Sequence, residues 1–266
     1  MSKERGAGWY PGHMVATQKT IRELAPYLTA FIEVVDARAP EITRHLPLGT
    51  WVGRAARVVV LNKSDLANPD VTARWIRWYR KRGVLAVALN AQEPQATAIL
   101  RRALTQEFAP PYRLAVVGLP NLGKSTLLNR MVGKRRVATG AKPGITRGPQ
   151  WIRLADGWEW LDLPGVVTPS KSRSEELKIL GVVMYTAEEA QDLAAVAWRL
   201  VHPEVDDLVV EEEIDEPWVS YGRARGFLAR GGVVDRQRTA EAILAGFRSG
   251  TLGRLSLEEP GVGTGD

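Results

Sequence analysis

Short apolar runs, each closed by a polar or glycine-bearing loop, mark the first two thirds of the chain: Phe31 to Val35, Arg57 to Leu61, Gly83 to Ala91, Leu114 to Val117 and Trp158 to Asp162. Runs of this length read as strands, and Arg57-Val58-Val59-Val60-Leu61 fits a strand of a parallel sheet covered on both faces. Helical patterns alternate with them. One spans about Val15 to Tyr27, and one opens at Asn68-Pro69 with proline at its first position and stops at Gly83. A third covers about Gln95 to Gln106 before the turn Ala109-Pro110-Pro111, and a fourth covers Ser125 to Met131 and closes at Gly133. Alternating strands and helices predict an α/β fold with a mostly parallel sheet.

Beyond about Lys171 the strand pattern stops. Thr186 with Glu189 gives a capping-box signature ahead of Ala190 to Val201, which Pro203 ends, and Asp235 caps a helix to about Arg248 before Gly250. This predicts an α/β domain over 1–172, a small helical domain over 173–257, and a tail over 258–266 polar and glycine-rich enough to be disordered.

The loops after the strands carry the chemistry. Gly118-Leu119-Pro120-Asn121-Leu122-Gly123-Lys124-Ser125-Thr126 sits between a strand and a helix, the context a phosphate-binding loop requires. Its glycines let backbone N–H groups turn onto phosphates, the helix N-terminus adds positive potential, Lys124 reaches the outer phosphates and Ser125 can ligate Mg2+. Asn62-Lys63-Ser64-Asp65 follows the second strand. A carboxylate accepts two hydrogens at once, which suits the ring N–H and exocyclic amine of guanine, so Asp65 is expected to read that base. Asn62 would tie this loop to the phosphate loop, and Lys63 would lay its stem on the base. Asn90-Ala91-Gln92 stands where a third base contact is expected, with the Ala91 N–H as donor to the guanine carbonyl. Asp162-Leu163-Pro164-Gly165 ends the last strand: Asp162 would hold Mg2+ through water, the Gly165 N–H would sense the γ-phosphate, and Thr146 is the expected switch threonine on the metal.

In an ordinary GTPase the phosphate loop comes first and Asn-Lys-x-Asp last; here that order is inverted. With Trp9-Tyr10-Pro11-Gly12-His13-Met14, Val35-Asp36-Ala37-Arg38-Ala39-Pro40 and Gly231-Gly232-Val233-Val234-Asp235, the arrangement resembles the circularly permuted GTPases. Within them it resembles the ribosome biogenesis GTPase A family, also called RbgA or YlqF, over nearly the whole chain. The resemblance implies a circularly permuted P-loop GTPase domain plus a small C-terminal helical domain that binds RNA. The sequence of that second domain shows an acidic cluster, Glu211 to Glu216, and arginines 223, 225 and 230 among glycines, which equally suit a plain helical bundle.

Val166, after Gly165, offers an attacking water no hydrogen bond, so hydrolysis by the free protein is expected to be slow. The resemblance implies that His13 orients the water instead; an RNA or packing contact is the other reading of this histidine. It also implies that Asn121 holds K+ beside the phosphates, the alternative being an amide that steadies the loop.

The 266 residues allow one good-sized core and a smaller second unit. Cysteine is absent, which removes disulfide and thiolate chemistry and fits a reducing cytoplasm. No apolar run is long enough for a membrane span, and no signal-peptide core is present. A formal charge of +6 favours a polyanionic partner. Arg74, Arg77 and Lys81 form one stripe on their helix, suited to phosphates and equally to a solvated face.

The expectation is a cytoplasmic enzyme that binds GTP and GDP and hydrolyses GTP. Its partners would be the large ribosomal subunit, with rRNA and ribosomal proteins, during late assembly, and the particle would stimulate hydrolysis. The first alternative is an RNA-binding assembly scaffold in which GTP only sets conformation. A small-molecule phosphotransferase is disfavoured by the guanine motif.

Overall fold

The five apolar runs, joined by a strand at 150–153 that none of them announced, pair into one six-stranded sheet in a computed structural model that describes residues 19–44, 55–133, 150–162, 174–203 and 217–261. The strands are β1 (Ala30–Asp36), β2 (Ala56–Asn62), β3 (Leu85–Ala88), β4 (Arg113–Val117), β5 (Gln150–Arg153) and β6 (Glu159–Asp162). Their order is β3-β2-β1-β4-β6-β5, and every pairing is parallel except β5 with β6. The first three strands build outward from β1 in one direction, and the later ones build outward from β4 in the other. The seam between β1 and β4 is therefore a topological switch point, and the carboxyl ends of β1, β2, β4 and β6 gather along it.

Both faces are buried, which explains the lack of alternation. Phe31, Ala115, Val117 and Leu161 pack with Ile21 and Ala25 of the helical stretch 19–27 and with Leu28 just after it, while Val35, Val59 and Leu61 meet Val71, Trp75 and Tyr79. The latter three lie on α1 (Pro69–Lys81), whose Asn68 side chain accepts the N–H groups of Asp70 and Val71. On the opposite face Ile32, Val58, Val60, Leu114 and Val116 pack with α2 (Ala96–Glu107) and α3 (Lys124–Val132). Burial of one such aliphatic side chain is worth about 1.5–3 kcal/mol.

Helices α4 (Ser174–Ile179), α5 (Ala190–Val201), α6 (Pro217–Ala224) and α7 (Arg236–Ser249) form the second unit. The Thr186 N–H donates to the Glu189 carboxylate at 2.9 Å, one turn before α5 begins, and Asp235 caps α7 through the Arg238 N–H at 2.9 Å. Its core is continuous with the sheet's: Leu193, Ala197, Ile243 and Phe247 belong to the same cluster as Leu119 and Leu122. The boundary expected at 172/173 lies outside the described residues.

The start of the expected disordered tail is packed instead. Glu258 accepts the backbone N–H groups of Glu41 and Ile42 with one carboxylate oxygen, the Trp75 indole N–H reaches its carbonyl at 3.2 Å, and Glu259 pairs with Arg74 at 2.6 Å. Polar, glycine-rich composition misleads here because the hydrogen-bond partners are supplied by distant elements. That pairing also takes Arg74 out of the basic stripe, leaving Arg77 and Lys81 exposed. Residues 262–266 lie outside the described residues.

Candidate nucleotide site

The phosphate loop leaves β4 and enters α3 through backbone conformations that demand glycine. Gly118 has φ +141°, and a Cβ there would lie 2.4 Å from the Val34 carbonyl oxygen on β1; Gly123 has φ +92°, and a Cβ there would lie 2.3 Å from the Asn62 Nδ2. Leu119 and Leu122 turn inward into the core and anchor the loop, while Ser125 and Thr126 are exposed at the start of α3. Lys124 donates from its ammonium to the Leu119 carbonyl at 2.6 Å, which folds its stem back over the loop.

Asn62, the last residue of β2, is buried and uses both ends of its amide. Its Nδ2 donates to the Leu122 carbonyl at 2.7 Å, and its Oδ1 accepts the Ala91 N–H at 2.9 Å. One side chain thus fastens the guanine-type loop, the phosphate loop and the loop after β3 together. The Ala91 N–H, anticipated as a donor to the guanine carbonyl, here donates to Asn62. Asn90 folds over its own loop, accepting the Gln92 N–H at 2.9 Å, and Ser64 donates its N–H to the Leu89 carbonyl at 3.3 Å.

Lys63 has φ +57°, an unusual conformation for a side-chain-bearing residue, and directs its ammonium to Asp36 Oδ2 at 3.1 Å. Asp36 ends β1 and is fully buried, and it also accepts from Arg38 Nε and Nη2, both at 2.9 Å. Burial pushes the Asp36 carboxyl up, but the hydrogen bond and charge of Arg38 and the charge of Lys63 outweigh it and hold it below the usual carboxylate value. Arg38 continues the chain of contacts by donating to the Phe247 carbonyl of α7 at 3.0 Å. Asp65 stands exposed beyond Lys63, at the rim of the loop.

Asn121, exposed with φ +58°, donates its amide nitrogen to the Gly181 carbonyl at 3.1 Å, linking the phosphate loop to the turn after α4. The loop-steadying role is therefore present. His13, Thr146 and Gly165 lie outside the described residues, as does the Asp162 side chain; the Asp162 backbone ends β6 in register with Val116 of β4, directly beside the strand that feeds the phosphate loop.

The C-terminal segment also reaches this region. Leu255 donates its N–H to the Leu66 carbonyl at 3.0 Å, and Arg254 donates to the carbonyls of Ala67 at 3.1 Å and Ser64 at 3.0 Å. Neither Arg254 nor the Asp36–Arg38 pair carries a local sequence signal for such a role. Val35-Asp36-Ala37-Arg38 marked a resemblance without revealing what it holds.

A family model described as 50S ribosome-binding GTPase matches residues 113–217. A protein named ribosome biogenesis GTPase A from Priestia megaterium is 31% identical over 95% of this chain and 96% of its own length. Two solved structures of YlqF, one described as GDP-bound and the other, from Thermotoga maritima, as GNP-bound, are each 29% identical. They superpose with TM-scores of 0.69 and 0.68, covering 91% and 92% of this chain and 99% and 98% of theirs.

Proposed function

Because the chain belongs to the ribosome biogenesis GTPase A family, and is therefore a circularly permuted GTPase that hydrolyses GTP, we propose that it acts on the large ribosomal subunit late in assembly. In this reading the particle stimulates hydrolysis and hydrolysis releases the protein. The observation that carries the site assignment is Asn62, which ties the guanine-type loop to the phosphate loop although their order in the chain is inverted.

Asp65 reads the amine edge of guanine, and Asn62, Lys63, Ser64, Asn90 and Ala91 shape the base pocket. Asn121, Leu122, Gly123, Lys124, Ser125 and Thr126 cradle the phosphates, with Gly165 sensing the γ-phosphate. Ser125, exposed at the N-terminus of α3, and Asp162, whose backbone ends β6 beside β4, are oxygen-bearing residues placed at the carboxyl end of the sheet, a residue chemistry that suits Mg2+. Ser125, Thr146 and Asp162 would hold it; bound there, the ion neutralises charge on the phosphate oxygens. His13 orients the attacking water, and Asn121, whose amide nitrogen is taken by the Gly181 carbonyl, would be the residue to hold K+, which would supply positive charge beside the phosphates.

Support for an RNA partner is electrostatic: the formal charge is +6, and Arg223, Arg225 and Arg230 are exposed on the helical unit. Among the described residues no helix is long and apolar enough to cross a membrane. The decisive experiment compares GTP turnover with and without purified large subunits. Stimulation by the particle is expected; unchanged turnover would favour the scaffold reading, in which GTP sets conformation alone.

A further inference from the structure

The loop from Ser64 to Ala67 carries the residue assigned to base recognition; one turn bond, from the Leu66 N–H to the Lys63 carbonyl at 3.0 Å, spans Ser64 and Asp65 but leaves the loop's own carbonyls to other partners. Three of its carbonyls, those of Ser64, Leu66 and Ala67, are received by the segment after α7. Arg254 takes two of them, one on each side of Asp65, and the Leu255 N–H takes the third. The segment is held in its turn at both ends. Gly250 adopts φ +76° beside the Leu66 side chain, and Leu257 donates its N–H to the Arg38 carbonyl at 2.7 Å.

We propose that Arg254 is a positioning residue for guanine recognition, holding the 64–67 loop so that the Asp65 carboxylate is presented to the base before nucleotide arrives. The inference deepens the proposed site and rests on Asp65 being the base reader. The physical reason is preorganisation. Without the guanidinium the Ser64 and Ala67 carbonyls turn to water, the loop samples other arrangements, and the cost of fixing it moves into the binding step. Both GTP and GDP carry the base, so both lose affinity, and the loss falls on binding rather than on turnover at saturating GTP. Because Asp65 accepts from two donors of guanine and only one of hypoxanthine, a loosened loop also narrows the preference for GDP over IDP.

The test uses the full chain with Arg254→Ala and Arg254→Lys, titrated with fluorescent GDP and GTP and competed with IDP. Circular dichroism and thermal melts run alongside as a check on folding. Arg254→Ala is expected to weaken both guanine nucleotides by roughly three- to tenfold, given charge-assisted bonds at a solvent-facing site, and to compress the GDP/IDP ratio. Lysine, which keeps the charge but not the fork, should recover part of the loss. A lowered melting temperature with an unchanged GDP/IDP ratio would reduce Arg254 to a structural residue and overturn the inference. Asp65→Asn separates the two levels. If it collapses the ratio while Arg254→Ala leaves affinity and ratio intact, positioning by Arg254 fails alone; if Asp65→Asn also leaves the ratio intact, the base-reading assignment fails and takes this inference with it.

Discussion

Asn62 donates to the Leu122 carbonyl at 2.7 Å, a bond that ties the loop after β2 to the loop after β4. Its position explains why Gly123 must be glycine: a Cβ would occupy the space of the Asn62 amide nitrogen. Gly123→Ala is expected to expel the Asn62 side chain and to weaken GTP and GDP by at least about tenfold, since a buried amide loses its partner and an L-residue is forced to a positive φ. Isothermal titration with both nucleotides checks it; unaltered affinity would mean that the loop relaxes around the methyl group.

Asp65 offers a second test, of ligand identity. Asp65→Asn replaces an acceptor pair with a mixed donor and acceptor, so GTP affinity should fall by about a hundredfold or more while xanthosine nucleotides gain. Competition between GTP and XTP reads this directly, and an unchanged preference would remove Asp65 from the base pocket.

The Asp36 carboxylate predicts an acid limb of stability. Its carboxyl is held below the ordinary value of 3.8 in the folded protein, so the unfolded chain binds the proton more tightly. This contribution is complete above that value and is lost as pH falls through it toward the lower folded value. Asp36→Asn should cost about 3–5 kcal/mol near neutral pH, because Arg38 is left buried without its counter-charge. It should also flatten the fall in stability below pH 3.8, as urea melts at stepped pH would show.

For the subunit, the expected signature is salt. If Arg77, Lys81 and the arginines of the helical unit meet rRNA phosphates, log affinity falls linearly with log salt by roughly 0.7–0.9 per phosphate contacted. Substituting one such arginine by alanine should lower the slope by about one contact. Sedimentation at several salt concentrations gives the slope, and a flat response would speak for a protein contact instead.

Turnover separates the two proposed catalytic aids. His13→Ala should lower subunit-stimulated hydrolysis by about 10²-fold or more while leaving GTP binding near normal, as expected for loss of a group that orients water. Exchange of K+ for Li+ should slow the reaction if Asn121 helps hold the larger ion. Equal loss of binding and turnover in His13→Ala would indicate docking or folding.

Much of the architecture is legible along the chain because its signals are local. Asn68-Pro69 starts α1, Gly133 and Gly250 end α3 and α7, and the unalternating runs at 57–61 and 114–117 declare strands covered on both faces. The sheet class and the membership in the GTPase family follow from those runs and the motifs between them. Less of the site's support could be read in advance. Arg254 holds Ser64 across 190 positions, and Arg38 holds Phe247 across 209, through bonds that no residue pattern encodes. The Ala91 N–H was expected to face the base and meets Asn62, since which acceptor an N–H finds depends on how two loops pack.

The order of residues alone determined most of the elements, though not β5, α4 or α6, together with the phosphate loop and the permuted succession of motifs, because glycine freedom, capping and hydrophobic period act within a few residues of each other. Only the tertiary structure decided that Asn62 spans two loops, that Asp36 and Arg38 connect β1 to α7, and that the segment after α7 returns to the guanine-type loop. Those contacts exist because the sheet places the strand ends side by side and the helical unit shares its core, and proximity of that kind is a property of the packed chain.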